Sequence, residues 1–460
     1  MDNASPSAEY LFQRAVQLLD DGDLAAAEIV LQLVMLLRPD MAEAQVNLGW
    51  VLERSNRVGE AEDHYRRALE LQPWNLQPYL NLGAMLTAQK RFADAEMLYR
   101  RALAVAPDVP ELLSNLGVLL ACMKRDAEAE QCYRRALALA PHYRTARFNL
   151  AYVLLRHGRY EEGWSCLEAR EPSVHLEGQL SCPCWQGEPL DGKAILVGFE
   201  AGHGDMIQFA RYTTLLKEAG ASHVSIICHP GLKRLFSRLR GVDDIIGMDE
   251  ALPNFAWDYW VLPMSLPFHF GTRETTIPAA IPYLSPPADR IAYWANSIGP
   301  RDGELRIGLV WRGNPRHEND ADRSLPSLST LVPLSRIPKL RFFSLQKGKA
   351  AGEAVLPPFP LTDLSPGIDD FDDTAAIVAQ LDLVITVDTA VAHLAGALGT
   401  RCWVLLPDYK CDWRWLTGVN DSPWYPHVMR LFRQRTVGDW APPIEEMRSA
   451  LSALAQGFAG

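Results

Sequence analysis

The chain has 460 residues, a net charge of −11 and an isoelectric point near 5.5. This length exceeds a single hydrophobic core and predicts two or three domains. The acidic balance argues against a nucleic-acid partner, because such a protein needs a basic footprint. The opening residues MDNASPSAEYL lack the basic start and apolar core of a secretory signal. The longest apolar stretches are too short to span a bilayer, so we expect a cytoplasmic protein with no membrane span.

The first third of the chain repeats every 34 residues. Prolines, asparagines and the segment YRRAL recur in one register, at Pro39, Pro73, Pro107 and Pro141, at Asn47, Asn81, Asn115 and Asn149, and at 65–69, 99–103 and 133–137. Small residues stand where two helices would cross, as at Gly49 and Ala61, and a tyrosine follows to pack the second helix. These features resemble tetratricopeptide repeats. They predict an all-α solenoid over 1–170, with a degenerate first repeat, three full repeats from 42 to 143, and a fifth that begins at 144.

The four asparagines occupy one position on the first helix of successive repeats, the helix that lines the concave groove of such arrays. An amide both donates and accepts hydrogen bonds, so a row of them can hold the backbone of an extended peptide. This predicts that Asn47, Asn81, Asn115 and Asn149 bind a protein acceptor in the groove. The alternative is that the asparagines only bridge neighbouring helices.

A different pattern begins after the turn-rich segment 171–192, which reads as a linker. Short apolar runs alternate with helical stretches, first in AILVGF, VSIICH, DDIIGM and DYWVLP, and then in RIGLVW, RFFSLQ, LDLVITV and CWVLLP. Continuous apolar strands between helices are typical of parallel sheets that are covered on both faces. We therefore predict two Rossmann-like domains that face a cleft, at 193–290 and 291–460. The closing stretch 441–456 is expected to form a helix that crosses back to brace the first of these domains.

Three segments at predicted strand ends could carry chemistry. The first, 200–205, follows AILVGF and ends at Asp205, which could act as a general base or simply cap the next helix. The second, 311–324, carries Arg312, Arg316 and Arg323, whose guanidinium groups suit phosphate oxygens, although the loop could also be a solvated basic surface. An Asp-x-Asp pair in it, Asp320 and Asp322, lies among other charges rather than at a strand end, and we predict no metal site.

The third segment follows LDLVITV and reads Asp388-Thr389, then a helix of small residues. The N–H groups and dipole of a helix N-terminus favour an anion such as a phosphate. His393 lies one turn into this helix, where it could reach the same anion or have only a structural role.

These segments resemble glycosyltransferases of the GT-B fold, in the heptosyltransferase-like class. The whole chain is similar to bacterial proteins that join repeats to such a domain, some of which glycosylate flagellin, and to eukaryotic O-linked N-acetylglucosamine transferase. The most specific pieces are GHGDMIQFARY, GLVWRGNPRHENDADRS, FFSLQKG, DTAVAHLAGALG, and DWRWL with SPWYP.

The resemblance implies that Asp205 is the catalytic base. It also implies a donor pocket in which Asp388, Thr389, His393 and Arg323 bind the nucleotide sugar, with Lys347 at the diphosphate. Ala390 replaces the glycine that is usual in this motif.

The expected function is an inverting, metal-independent glycosyl transfer from a nucleotide sugar to a hydroxyl of a protein that the repeats recruit. The nucleotide sugar is a substrate, and no cofactor is expected. Two alternatives stay open at this point. One is a non-catalytic scaffold with a degenerate GT-B domain, and the other is a transferase that acts on a lipid-linked or polysaccharide acceptor.

Overall fold

The computed structural model describes residues 7–171, 178 and 180–458. Contacts divide the chain into two compact units, Met1–Val153 and Leu154–Gly460. Part of the predicted linker 171–192, namely 172–177 and 179, lies outside the described residues, as do residues 1–6 of the predicted repeat region. The division falls within the predicted fifth repeat, so the second helix of that repeat belongs to the second unit.

The first unit is built of consecutive helix pairs, as the 34-residue period predicts. The helices are α1 (Ala8–Asp20), α2 (Leu24–Leu37), α3 (Ala42–Arg54), α4 (Val58–Leu71), α5 (Gln77–Ala88), α6 (Phe92–Val105), α7 (Pro110–Cys122), α8 (Asp126–Leu139) and α9 (Arg144–Arg156), the last of which continues into the second unit. The predicted all-α solenoid is confirmed.

The helices of each repeat approach closely because glycine faces tyrosine at their crossing. A Cβ on Gly83 would lie 2.3 Å from the ring of Tyr99, and one on Gly117 would lie 2.5 Å from the ring of Tyr133. Both tyrosines are almost completely buried. The recurring glycine therefore provides the space that the recurring tyrosine fills, and a larger residue would force the two helices apart.

Ion pairs connect successive repeats in the same 34-residue register, a feature that the sequence analysis did not predict. Glu62 pairs with Arg91 at 2.6 Å, and Glu96 pairs with Arg125 at 2.7 Å, across 29 residues in each case. Each glutamate also pairs with the arginine four residues later, such as Arg100 for Glu96. Hydrogen bonding by the Arg125 guanidinium lowers the pKa of Glu96. We call this series the ion-pair ladder.

The second unit opens with a short helix and a four-stranded parallel sheet. The helix is α10 (Tyr160–Leu167), and the strands are β1 (Ala194–Val197), β2 (His223–Cys228), β3 (Asp244–Gly247) and β4 (Tyr259–Val261), in the order β3-β2-β1-β4. Its helices are α11 (His203–Phe209), α12 (Thr213–Glu218), α13 (Lys233–Phe236) and α14 (Leu266–His269). The described part of the predicted linker lies along this sheet, where Trp185 N donates to Trp260 O at 2.7 Å.

A six-stranded parallel sheet follows. Its strands are β5 (Leu305–Val310), β6 (Leu340–Ser344), β7 (Thr362–Asp363), β8 (Leu383–Val387), β9 (Cys402–Leu406) and β10 (Met429–Arg433), in the order β10-β9-β8-β5-β6-β7. The helices are α15 (Ala288–Ile298), α16 (Asp320–Arg323), α17 (Val332–Ser335), α18 (Phe371–Val378), α19 (Ala390–Leu398) and α20 (Ala441–Phe458). The predicted α/β organisation of this region is confirmed.

The expectation that the closing helix braces the first sheet is wrong. Ile444, Met447 and Leu451 of α20 belong to the core of the second sheet, together with Ile307 and Leu405 of its strands. The apolar face of α20 is therefore buried on the sheet that precedes it in the chain.

Candidate functional site

Both sheets reverse their strand order at one point, and the predicted site residues follow the strands at those points. In the second sheet the order reverses between β5 and β8, and in the first sheet between β1 and β4. Ligands of open parallel sheets bind in the crevice at the carboxyl ends of the strands beside such a reversal. The segments after β1, β5 and β8 hold Asp205, Arg312 and Asp388 respectively, so the fold places all three at the expected edges.

The two edges meet through helices α11 and α19. A Cβ on Gly204 would lie 2.8 Å from Cδ2 of His393 and 3.4 Å from Cα of Ala390. A side chain at position 204 would therefore force the His393 ring to move. The structure therefore brings the predicted base, Asp205, next to the predicted donor helix.

Asp205 has both carboxylate oxygens engaged. Oδ2 accepts a hydrogen bond from the backbone N–H of Gly202 at 2.8 Å, so the predicted capping role is present. Oδ1 accepts from the guanidinium of Arg414, whose side chain is only 8% exposed. Arg414 also pairs with Asp412 at 3.0 Å and lies over the ring of Trp413. Each carboxylate oxygen keeps a second lone pair, so these two contacts still allow Asp205 to accept a proton.

The loop that presents Asp205 is strained. Ala201 has a φ of +58°, a left-handed conformation that is unfavourable for any residue with a Cβ. Leu416, close to Arg414 in sequence, also has a positive φ, of +52°. Strain of this kind costs about 1–3 kcal/mol and persists only where neighbouring contacts enforce it, which is common in functional loops.

His393 is enclosed rather than open to the crevice. It is 6% exposed, its Nδ1 lies 3.0 Å from the Tyr425 hydroxyl, and its ring stacks on Trp415 at 5.3 Å. Burial, and then the charge of Arg414, lowers its pKa far below the usual value, so the imidazole is neutral. In this arrangement His393 offers packing and a hydrogen bond but no positive charge.

Asp388 and Thr389 lie where β8 passes into α19. The Thr389 hydroxyl bonds to the Thr386 hydroxyl at 2.9 Å and does not cap the first turn of the helix. Burial, and then the charge of Asp412, raises the pKa of Asp388 to about 6. The positive charges of Arg323 and Arg414 act in the opposite direction. These contacts place Asp388 in one electrostatic cluster with arginines from two other loops.

Three of the predicted phosphate-binding cations, Arg312, Arg323 and Lys347, lie at the ends of β5 and β6 or in the loop beyond β5. Arg323 Nε lies 3.3 Å from Asp320, and a Cβ on Gly313 would approach its guanidinium to 2.7 Å. Lys347 donates to the carbonyls of Ser365 and Ile368 at 3.0 and 2.7 Å. The Nε of Arg312 is buried with no hydrogen-bond acceptor among the described residues. Lys347 therefore fastens a turn, whereas Arg312 Nε faces the Glu353 carboxylate at 3.6 Å, beyond hydrogen-bond distance.

Sequence reasoning assigned no role to Arg414, Trp415 and Tyr425, although two quoted segments contain them. It also missed Gln346, whose Oε1 accepts from the N–H groups of Trp311 and Arg312, both at 2.9 Å. The buried amide thereby fixes the start of the loop after β5. A polar residue directly after a buried strand was the available signal.

The predicted acceptor residues lie half-buried in the first unit, at Asn47, Asn81, Asn115 and Asn149. Burial raises the pKa of the Tyr65 and Tyr99 phenols, and the amides of Asn81 and Asn115 act on them in the opposite direction, each from the repeat that follows the tyrosine. These contacts correspond to the bridging alternative. Acceptor binding by the four residues stays a prediction.

Other features lie outside this site. A groove of about 400 Å³ opens at the opposite edge of the second sheet, lined by Leu305, Asp382, Gly399, Arg401, His427 and Val428. Within the described part of the chain, no group of three or more His, Cys, Asp or Glu residues could hold a metal ion. Across the same residues, no helix has the length and apolar character needed to cross a membrane.

Comparison with known proteins identifies the repeats. Profiles of the tetratricopeptide repeat match residues 42–73, 74–142 and 125–163. The N-terminal region therefore carries tetratricopeptide repeats, which are modules for protein–protein interaction.

One curated relative matches over much of the chain. Protein FlbA of Caulobacter vibrioides is 29% identical over 337 residues, which cover 67% of this chain and 55% of that protein. The chain thus spans about half the length of the curated relative it matches. Because the alignment is longer than the first unit, it extends into the second.

Several solved structures are similar to part of the chain. PilF of Pseudomonas aeruginosa is 21% identical, with 36% of this chain and 78% of that chain covered and a TM-score of 0.34. A thermophilic tetratricopeptide-repeat protein of Thermus thermophilus is 22% identical, with 38% and 96% covered and a TM-score of 0.33. MamA of Desulfovibrio magneticus is 17% identical, with 38% and 97% covered and a TM-score of 0.31.

Proposed function

We propose that this protein is an inverting glycosyltransferase that moves a sugar from a nucleotide-sugar donor to a hydroxyl of a protein acceptor. One observation carries the proposal. The crevice edges of two Rossmann-type sheets meet at Gly204 and His393, with a carboxylate on one side and a helix N-terminus with arginines on the other.

The carboxylate side suits the acceptor. Asp205 would take the proton of the acceptor hydroxyl as that oxygen forms its bond to the anomeric carbon, while the bond from that carbon to the phosphate oxygen breaks. General-base assistance of this kind contributes about 10²–10⁴-fold in rate. Arg414 binds one oxygen of Asp205 and also pairs with Asp412, and it would hold the carboxylate in place while a free lone pair accepts the proton.

The cationic side suits the donor. The nucleotide diphosphate leaves with its negative charge, and fixed donors at that position act most strongly on the transition state. Arg312, Arg323 and Lys347 supply cations, and the first turn of α19 after Thr389 supplies N–H groups and a helix dipole. These groups would balance the leaving phosphate charge, so the proposal needs no bound metal.

The acceptor is proposed to be a protein because the first unit is a repeat module of the protein-binding kind. The alignment with Protein FlbA extends from the first unit into the second. This similarity supports a joint role for the repeats and the second unit.

A second candidate is a non-catalytic scaffold. Its support is the engagement of both Asp205 oxygens and the enclosure of His393, which together describe a closed site. Such a scaffold would use the repeats to bind its partner without turnover.

The two candidates differ in turnover of a nucleotide sugar. Purified full-length protein would be incubated with UDP-, GDP-, ADP-, TDP- and CMP-linked sugars in EDTA, and nucleotide release measured as the slow hydrolysis that transferases show without acceptor. We expect release from one nucleotide class, lost on Arg323→Ala and retained by Arg401→Ala in the opposite groove. Absence of release from all five classes would reject the transferase and leave the scaffold.

A further inference from the structure

Helix α10 begins in residues that match the repeat profile, yet it is built into the second unit. Tyr160, Gly163, Trp164 and Leu167 form its buried face. We call residues 160–170, which comprise α10 and the turn after it, the α10 segment. Trp164 of this segment contacts the loop 412–417, which carries Arg414, and Arg170 contacts the loop 199–205, which leads to Asp205. Neither has a role in the proposed chemistry.

Trp164 packs against the loop that carries Arg414. Its ring is 1% exposed and meets Trp413 edge-to-face at 5.3 Å, with Trp424 at 6.2 Å. Its indole N–H donates to the carbonyl of Thr272 at 2.9 Å, and this hydrogen bond fixes the orientation of the ring. Trp413 in turn supports the Arg414 guanidinium, whose carbon lies 4.5 Å above its ring. A path of direct contacts therefore runs from Trp164 to the arginine that pairs with Asp205.

Arg170 holds the other loop. Its side chain is 8% exposed and pairs with Glu200, which is itself buried and also accepts from the backbone N–H of Met264. The same guanidinium donates to Ser265 Oγ at 2.6 Å and to Glu168 at 2.7 Å. Glu200 directly precedes the strained Ala201 and the Gly202 whose N–H binds Asp205. A buried, fully bonded pair at this point can maintain the left-handed turn that presents Asp205.

We propose that the α10 segment positions the candidate base: Trp164 orients the loop of Arg414, and Arg170 orients the loop of Asp205. Both residues are positioning residues and touch neither substrate. The catalytic part of this inference rests on the proposed transferase function, whereas its structural part does not. It follows that the repeat region cannot be removed at residue 170 without loss of the site geometry.

The test compares loop order and turnover in the full-length chain. Arg170→Met removes the charged fork and keeps an apolar stem, and Arg170→Lys keeps the charge. Trp164→Leu removes the aromatic contact, and Trp164→Phe keeps a ring. Arg273→Ala is the matched control, because Arg273 pairs with Glu161 of the same helix at 2.9 Å but both side chains are exposed.

Hydrogen–deuterium exchange followed by mass spectrometry reports each loop separately. Arg170→Met should raise exchange in 199–205 by at least about tenfold, consistent with the loss of a charged hydrogen bond, and Trp164→Leu should do so in 412–417. Peptides from 42–140 and the Arg273→Ala control should stay as in the wild type. In nucleotide-sugar turnover the two variants should lower kcat at unchanged KM, with Arg170→Lys and Trp164→Phe intermediate.

Unchanged exchange in both loops would overturn the proposal. Faster exchange over the whole second unit would mean that the variant is generally destabilised. Arg170→Lys and Trp164→Phe then decide: faster exchange confined to their own loop supports positioning, whereas faster exchange throughout the unit, or no change, contradicts it. If the wild type turns over no nucleotide sugar, the transferase function fails while the exchange pattern still tests the role of α10.

Discussion

Replacing Gly204 with alanine tests whether the two crevice edges meet in solution. The new methyl group would lie 2.8 Å from the His393 ring and 3.4 Å from backbone of Ala390. His393 has little room to move, because it stacks on Trp415 and bonds to Tyr425. Overpacking of this kind costs about 1–3 kcal/mol. Since 1 kcal/mol shifts the melting temperature of a large domain by roughly 2–4 °C, the melting temperature should fall by about 2–12 °C.

Thermal unfolding followed by circular dichroism and by tryptophan fluorescence measures this effect. Gly352→Ala is the control, because no atom lies within 4 Å of its Cβ position and its φ is not left-handed. That variant should match the wild type or gain up to about 1 kcal/mol. A Gly204→Ala protein as stable as Gly352→Ala would show that α11 and α19 are not in contact, and the site as described would not exist.

Three further predictions concern the array and the donor side. Arg125→Gln should destabilise the array slightly in denaturant titration at pH 7, because an exposed ion pair contributes little. Because the folded pKa of Glu96 is lowered, this difference is present above the ordinary glutamate pKa and should vanish as the pH falls through the lower folded value; persistence of the difference in acid beyond that point would contradict the ladder. Asn115→Ala should lower stability by about 0.5–1.5 kcal/mol if the amide bridges to the Tyr99 phenol, and unchanged stability with weakened acceptor binding would instead establish the groove role. Lys347→Met should weaken binding of the preferred nucleotide sugar by about 1.5–3 kcal/mol in calorimetry, and unchanged affinity with a lower melting temperature would make the lysine purely structural.

The repeats could be predicted from the sequence because one local rule recurs. Gly83 and Tyr99 meet within a single helix pair, so the same contact appears at the same spacing in each repeat. The buried strands could be predicted for a similar reason, since continuous apolar runs such as β8 are typical of central parallel strands. The strand β10 was missed because it lies at an edge, with Arg430 exposed, and so lacks such a run.

The candidate site was only partly predictable. Asp205 and Asp388 stand directly after buried strands, which is a local signal. The partner of Asp205 is not local: Arg414 lies 209 residues away, in a turn whose only pattern is its tryptophans. Likewise, the sequence of α20 predicts a helix but not which sheet the helix packs on, because its apolar face could be buried on either sheet.

The rate of Asp205→Asn tests the central claim most directly. Full-length wild type, Asp205→Asn and the exposed control Asp249→Asn would be compared with the nucleotide sugar that the wild type turns over, with kcat and nucleotide affinity measured separately. The account predicts that Asp205→Asn keeps its affinity and its melting temperature within the range of the control, while kcat falls by about 10²-fold or more, because an amide cannot accept the proton. An Asp205→Asn enzyme that retains more than about a tenth of the wild-type kcat would contradict it.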